Sequence, residues 1–148
     1  MTGSVRNKKA GFNYELLERY TAGVKLLGTE VKSVKGGQGS LEGAYVILRG
    51  REAFLVGATI PPFQGGNAPE GYEPSRPRKL LLQKRELEEL ETASQTKGLT
   101  ILPISVYNKG RLVKVDIAIG RGKKKFDKRE TIKKRDVKRD IDRTLKNS

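Results

Sequence analysis

From Arg111 to Ile119 the chain alternates: Val113, Val115, Ile117 and Ile119 are apolar, and Leu112, Lys114, Asp116 and Ala118 fall between them. Period two makes this a strand with one face for a core and the other free to meet a ligand. Leu99 to Tyr107 is its hairpin partner across Asn108, Lys109 and Gly110. A second hairpin is expected from Ala44–Leu48 and Glu52–Ile60, which are rich in β-branched and aromatic residues and joined by Arg49, Gly50 and Arg51. Pro61 and Pro62 end it, because neither has an N–H to give to a ladder.

Two further segments repeat at helical spacing. Val24, Leu27, Val31 and Val34 form a stripe that Gly36 and Gly37 close, with Glu30 and Lys32 off its apolar side. Leu87 and Leu90, with Glu-rich flanks, predict a helix within Gln83 to Lys97, stopped by Gly98. Between Asn13 and Ala22 two readings stay open. Tyr14, Leu16, Tyr20 and Ala22 suit a strand, the preferred reading, whereas Tyr14, Leu17 and Thr21 suit a helix. Lys79 to Leu82 is a short apolar run, and Phe63 to Arg78 is a Gly- and Pro-rich loop, long enough to carry function. Met1 to Phe12 is polar and basic without a period, which reads as an arm over residues 1–12.

Five or six strands, two or three short helices and no βαβ repetition favour a mainly β antiparallel barrel over a doubly wound sheet. A body over residues 13–120 can bury an adequate core as one domain. Residues 121–148 form a separate basic tail. Arg121 to Ser148 holds thirteen Lys or Arg against five Asp or Glu, and so carries +8 of the chain's +14. In this tail Val137, Ile141 and Leu145 share one helical face. So thin a stripe does not offset an ordering cost of roughly 1–2 kcal/mol per residue, so the tail is expected to be disordered when free. A phosphate backbone would neutralise its cations and let a helix form.

Composition narrows the chemistry. With no Cys and no His, disulfides, thiolate metal sites, the usual general base and the usual zinc ligand are all excluded. Glu86, Glu88, Glu89 and Glu91 point around a helix axis and not at one ion, and Ser33 and Ser40 have no base partner. The expectation is a non-enzymatic protein with no cofactor and no metal. No apolar run approaches the roughly 20 residues that span a bilayer, and the N-terminus lacks a secretory pattern, which implies a cytoplasmic protein without a membrane partner. Basic residues at the arm, the central segment, the second hairpin and the tail instead form a footprint for nucleic acid. Phe12, Tyr14, Phe63, Tyr72, Tyr107 and Phe126 could stack on unpaired bases. For the aromatics inside predicted strands, core packing is an equal alternative. Phe126 lies amid Lys123, Lys124, Lys125, Lys128 and Arg129, where no core is available, and reads as a stacking residue.

An ordered set of motifs carries a resemblance. These are Asn7-Lys8-Lys9-Ala10, Gly28-Thr29-Glu30-Val31-Lys32-Ser33, Gly66-Asn67, Arg76-Pro77-Arg78-Lys79-Leu80-Leu81-Leu82 with Arg85-Glu86, Gly122-Lys123-Lys124 and Asp127-Lys128-Arg129-Glu130. In this order they resemble the SsrA-binding protein (small protein B, SmpB) family, the partner of transfer-messenger RNA. The resemblance implies a six-stranded OB-type barrel with about three flanking helices and a tail that becomes helical on the ribosome. It implies an adaptor, monomeric when free, that binds the tRNA-like domain of transfer-messenger RNA and delivers it to stalled ribosomes for trans-translation. Its RNA-binding face would include Asn7, Lys8, Leu81 and Lys114, with Lys9, Glu30, Lys32, Arg78 and Lys79 as further candidates. Glu30 has an alternative role, pairing with a basic residue to fix its helix. In the tail, Lys123, Lys124, Phe126, Asp127, Lys128 and Arg129, followed by Lys133, Lys134 and Arg135, would meet the small subunit at its decoding region and messenger channel. A small basic ribosomal protein or initiation-type factor is the competing expectation.

Overall fold

The computed structural model describes residues 4–63 and 69–123. The Gly66-Asn67 pair and the tail candidates from Lys124 to Arg135 lie outside the described residues. Within them the chain forms seven strands and three helices. In chain order these are β1 (Ser4–Arg6), α1 (Ala10–Asn13), β2 (Tyr14–Val24), α2 (Gly28–Lys35), β3 (Tyr45–Arg49), β4 (Glu52–Val56), β5 (Arg78–Leu81), α3 (Lys84–Ser94), β6 (Leu99–Lys109) and β7 (Leu112–Gly122).

All seven strands join one antiparallel sheet in the order β1-β6-β7-β2-β5-β4-β3. The sheet coils around its apolar face and brings β3 back beside β6. The class is therefore the mainly β, antiparallel one expected, with one strand more than the six implied. The extra strand is β1, drawn from the segment read as an arm. Three residues are too few to show a period, yet Ser4 and Arg6 are exposed and Val5 is buried, paired with Val106.

Both hairpins form around the expected turns, but β4 stops at Val56, short of the Ile60 expected from Pro61 and Pro62, because Gly57 turns the chain at a positive φ of 79°. Each hairpin turn likewise holds a glycine at positive φ, Gly50 (64°) and Gly110 (61°), which L side chains rarely adopt. β7 runs through Gly122, two residues beyond Gly120, because Gly122 still pairs with Tyr14 and the Lys123 N–H donates to the Asn13 carbonyl at 2.9 Å. Asn13 to Ala22 resolves as strand: β2 is the central strand that links the β6–β7 hairpin to β5.

Inward rows from every layer meet in a single core. Val5, Val106, Val115 and Ala22 lie across β1, β6, β7 and β2, with Leu55, Leu80, Ile101 and Ile117 beyond them. From the helices, Val34 of α2 and Leu90 and Ala93 of α3 complete it. α2 begins later than the apolar stripe suggests. Val24 belongs to β2, Leu27 is 38% exposed at the helix entry, and the buried residues are Thr29, Glu30, Ser33 and Val34. Glu30 at N3 accepts the Leu27 N–H at 2.8 Å, and Glu86 does the same for Gln83 at the start of α3, at 3.0 Å.

Candidate nucleic-acid interface

Strand pairing assembles one face from residues far apart in sequence. Gly23 of β2 pairs with Lys114 of β7 on one side and with Leu81 of β5 on the other; Lys114 in turn pairs with Tyr107 of β6, and Tyr107 with Ser4 of β1. Directly paired residues point to the same side of a sheet, so Ser4, Tyr107, Lys114, Gly23 and Leu81 form one outward row across five strands. The next outward row is Arg6, Ser105, Asp116 and Thr21.

At the β5 end this face opens into a cleft of about 540 Å³ lined by Gly23, Lys25, Leu81, Arg111, Leu112 and Lys114, among others. Gly23, which has no side chain, lies in this lining between its strand partners Leu81 and Lys114. Leu81 and Leu112 are 47% and 61% exposed, unusual for leucines beside three cations. Lys79 adjoins the cleft, since its carbonyl accepts the Lys25 N–H at 3.1 Å, and its own ammonium pairs with Glu52 at 3.0 Å. Cations with apolar surfaces between them match what nucleic acid offers, phosphates together with sugar and base faces.

A second concavity, of about 250 Å³, lies at the β1 end of the face and is lined by Arg6, Asn7, Lys8, Lys9 and the loop from Gly39 to Glu42. Here Asn7 is half-buried and acts as a latch. Its side-chain amide donates to the Pro103 carbonyl at 2.9 Å and its backbone N–H to that of Ile104 at 2.8 Å. The register of β6 against β7 shifts between Pro103 and Ser105, so Asn7 satisfies carbonyls at an irregularity that β1 does not reach. That fixes the chain where Lys8 and Lys9 emerge. Lys8 is exposed, and Lys9 pairs with Glu42 at 3.0 Å in an exposed bridge that water largely screens.

Two candidates lie inside the protein and not on this face. Glu30 and Arg78 are fully buried, with Arg78 Nε donating to Glu30 Oε2 at 2.8 Å. The other Arg78 donors go to the carbonyls of Ala58 and Arg76 (both 3.0 Å) and Pro74 (2.8 Å), and to the Tyr72 hydroxyl (3.3 Å). Arg76 and the Tyr72 hydroxyl also donate to Glu30. Neither Glu30 nor Arg78 can touch a ligand in this conformation; they tie α2 to the start of β5. Burial alone would push the Glu30 carboxyl up, but Arg76, the Leu27 N–H, Arg78 and Tyr72 together outweigh it and bring its pKa down to about 2. Tyr72, expected to stack, is occupied in this network and at the Ile60 carbonyl. Lys32 is exposed on α2, away from these contacts.

The match of the SmpB protein family model runs over residues 4–147. The chain belongs to the SmpB family. It is 46% identical over 142 residues to the SsrA-binding protein of Gloeobacter violaceus, covering 96% of this chain and 93% of that protein. Against the SsrA-binding protein of Oenococcus oeni the identity is 48% over 142 residues, with 96% and 91% covered. A solved structure described as "tmRNA-SmpB: a journey to the center of the bacterial ribosome" superposes with a TM-score of 0.70 at 38% identity, covering 82% of this chain and 85% of that one.

For an SmpB-family chain, the described part of the structure thus brings Leu81 and Lys114 together in one cleft, with Lys79 at its margin, and sets Asn7, Lys8 and Lys9 around another. Lys123 stands at the end of β7, its ammonium 2.9 Å from the Gly11 carbonyl, where the chain leaves the sheet. Sequence reasoning missed Lys25 and Leu112 as cleft residues. Neither had a signal, because the cleft exists only once β2, β5 and β7 pair. Among the described residues no helix is long and apolar enough to cross a membrane.

Proposed function

We propose that this chain is a non-enzymatic, cytoplasmic RNA-binding adaptor that holds the tRNA-like domain of transfer-messenger RNA and delivers it to stalled ribosomes for trans-translation. Family membership supports the task. The observation that carries it at the level of residues is the outward row Tyr107–Lys114–Gly23–Leu81 with its basic, leucine-walled cleft.

On this reading Lys114, Lys25 and Arg111 neutralise phosphates, and Leu81 and Leu112 cover the apolar side of a ribose or base. A tRNA-like fold presents phosphates and splayed bases close together, which suits a surface mixing both kinds of group. Asn7 sets the position of Lys8 and Lys9 as a second anchorage, so that one folded RNA bridges the two concavities. Beyond Lys123 the tail residues, Lys124, Phe126, Asp127, Lys128, Arg129, Lys133, Lys134 and Arg135 among them, would engage the decoding region and messenger channel of the small subunit.

The test is to recover the protein from cells at moderate salt and sequence the RNA that accompanies it. One enriched species with a tRNA-like end is the expected result. Stoichiometric recovery on every small subunit, without such an RNA, would identify a ribosomal protein instead and overturn the adaptor reading.

A further inference from the structure

Asp116 is the one carboxylate on the two outward rows, and the structure builds a holder for it. Oδ1 accepts from the Tyr107 hydroxyl at 3.0 Å and from the Thr21 hydroxyl at 3.0 Å, one donor from each flanking strand. Thr21 pairs directly with Asp116 across β2 and β7, while Tyr107 sits one row over, opposite Lys114. Among the described residues Oδ2 has no hydrogen-bond partner and Asp116 no ion pair, although Lys114 lies on the same face two residues away. Two residues along a strand is about 7 Å, so the cation and the carboxylate stand side by side on the platform.

An uncompensated carboxylate on a surface for a polyanion lowers affinity unless it accepts a hydrogen bond from the nucleic acid. RNA carries such donors in the amino and imino groups of unpaired bases and in the ribose 2′-hydroxyl. A carboxylate fixed by two donors on one oxygen has already lost its rotamer freedom. It can therefore make a further hydrogen bond with little added ordering cost.

We propose that Asp116 is a specificity-determining residue of the RNA face, its Oδ2 accepting a hydrogen bond from an N–H or O–H donor of the bound RNA, with Tyr107 and Thr21 as its positioning residues. This rests on the RNA-adaptor reading and deepens it. Lys114 holds a phosphate of the same segment, and Asp116 reads the donor beside it. Cations alone would accept any RNA; the held acceptor penalises one that presents no donor there, since burying it unpaired is costly.

The test uses the full chain and a transcript of the tRNA-like domain of transfer-messenger RNA, titrated at two salt concentrations beside an unrelated hairpin RNA of equal length. Asp116→Ala and Asp116→Asn each raise the net charge by one, which by counterion release alone would tighten binding to both RNAs. In Asp116→Asn the amide oxygen can replace Oδ1 and its NH₂ then meets the RNA donor, so this near-isosteric variant tests the proposal even if Asp116→Ala folds poorly. The expected result is a roughly tenfold weaker Kd for the tRNA-like transcript with both variants, the size of one good polar contact, and no weakening for the hairpin. Thr21→Val should lose a smaller part of the same discrimination. Transcripts with single 2′-deoxy positions, or with inosine for guanosine, identify the donor: the one on which parent and Asp116→Asn bind alike lacks it. Equal or tighter binding of the tRNA-like transcript by Asp116→Asn would overturn the role of Asp116 while leaving the adaptor reading standing. Failure of the parent chain to prefer the tRNA-like transcript would overturn both.

Discussion

Arg78 and Glu30 form an ion pair with both side chains wholly removed from solvent, Nε to Oε2 at 2.8 Å, joining β5 to α2. Each remaining guanidinium nitrogen meets a carbonyl or the Tyr72 hydroxyl, so no buried donor nitrogen is left unused. Leu81 follows Arg78 by three residues on β5, and the clamp therefore helps to set the position of the Leu81 wall of the cleft.

Removing one partner strands the other. Arg78→Met is expected to destabilise the protein by roughly 3–5 kcal/mol, the range for an uncompensated buried charge. Arg78→Lys should recover little of this, because an ammonium has three donors and no planar fork. Urea unfolding monitored by circular dichroism measures both. A loss under about 1 kcal/mol for Arg78→Met would mean that the clamp is energetically idle.

The same carboxylate gives the acid limb of the stability curve a definite place. Its pKa falls from 4.5 to about 2 on folding, so the folded state binds the proton less readily than the unfolded state. The stabilisation is full above the unfolded value, shrinks as pH drops below about 4.5, and is gone once pH passes about 2. Its size is on the order of 3 kcal/mol. Glu30→Gln should be less stable at neutral pH and should show a shallower decline between pH 4.5 and 2. Parallel declines for the two proteins would assign the acid sensitivity to other groups.

Much of this architecture was legible because it is periodic. The β6–β7 hairpin announces itself through alternation and a turn glycine, β3–β4 through β-branched and aromatic residues on either side of Gly50, and α3 through Leu87 and Leu90. What periodicity cannot see is a polar residue buried by distant partners. Glu30 looked like the outer side of an amphipathic helix, yet its arginines arrive 46 and 48 residues later and draw it inward. The cleft was half visible for a related reason. Leu81 was carried by a motif and Lys114 by its place on the outer face of an alternating strand together with the family resemblance, whereas Lys25 and Leu112 join them only through strand pairing. Asp116 looked like an ordinary solvent-facing strand residue until its two hydroxyl partners were in place.

Two glycines on β2 and β7 separate stability from binding. A Cβ on Gly23 would meet Leu81 Cβ at 3.4 Å, an ordinary contact, and alanine is the better strand residue. Gly23→Ala should leave stability unchanged or raised by up to about 1 kcal/mol, yet weaken RNA binding by adding a methyl group between Leu81 and Lys114. A Cβ on Gly120 would come within 2.8 Å of Leu102 Cδ2 and 3.1 Å of Tyr14 Cβ, where Leu102 is buried and cannot retreat. Gly120→Ala should cost roughly 1–3 kcal/mol and spare the affinity of the molecules that remain folded. Thermal melts paired with filter-binding titrations distinguish the two. Unchanged affinity in Gly23→Ala would place the RNA elsewhere.

Cutting the chain after Lys123 divides the proposed work between two parts. The Lys123 N–H still holds the Asn13 carbonyl and Gly122 still faces Tyr14, so the shortened chain keeps all of β7 and should melt close to the full protein. An earlier cut, after Gly120, would remove two ladder residues and confuse lost structure with lost contact. The shortened chain keeps the whole cleft and should retain most of its affinity for the tRNA-like domain. The full chain carries +14 and loses +6 of that charge in the cut, eleven Lys or Arg against five Asp or Glu, so its pull on ribosomal phosphates should weaken and rescue of stalled ribosomes should fail with it. Within the shortened chain, Lys114→Ala should weaken RNA binding further and lower the salt slope by about one phosphate. Affinity for the tRNA-like domain that vanished with the cut alone would show that the tail, and not the β6–β7–β2–β5 face, holds this RNA.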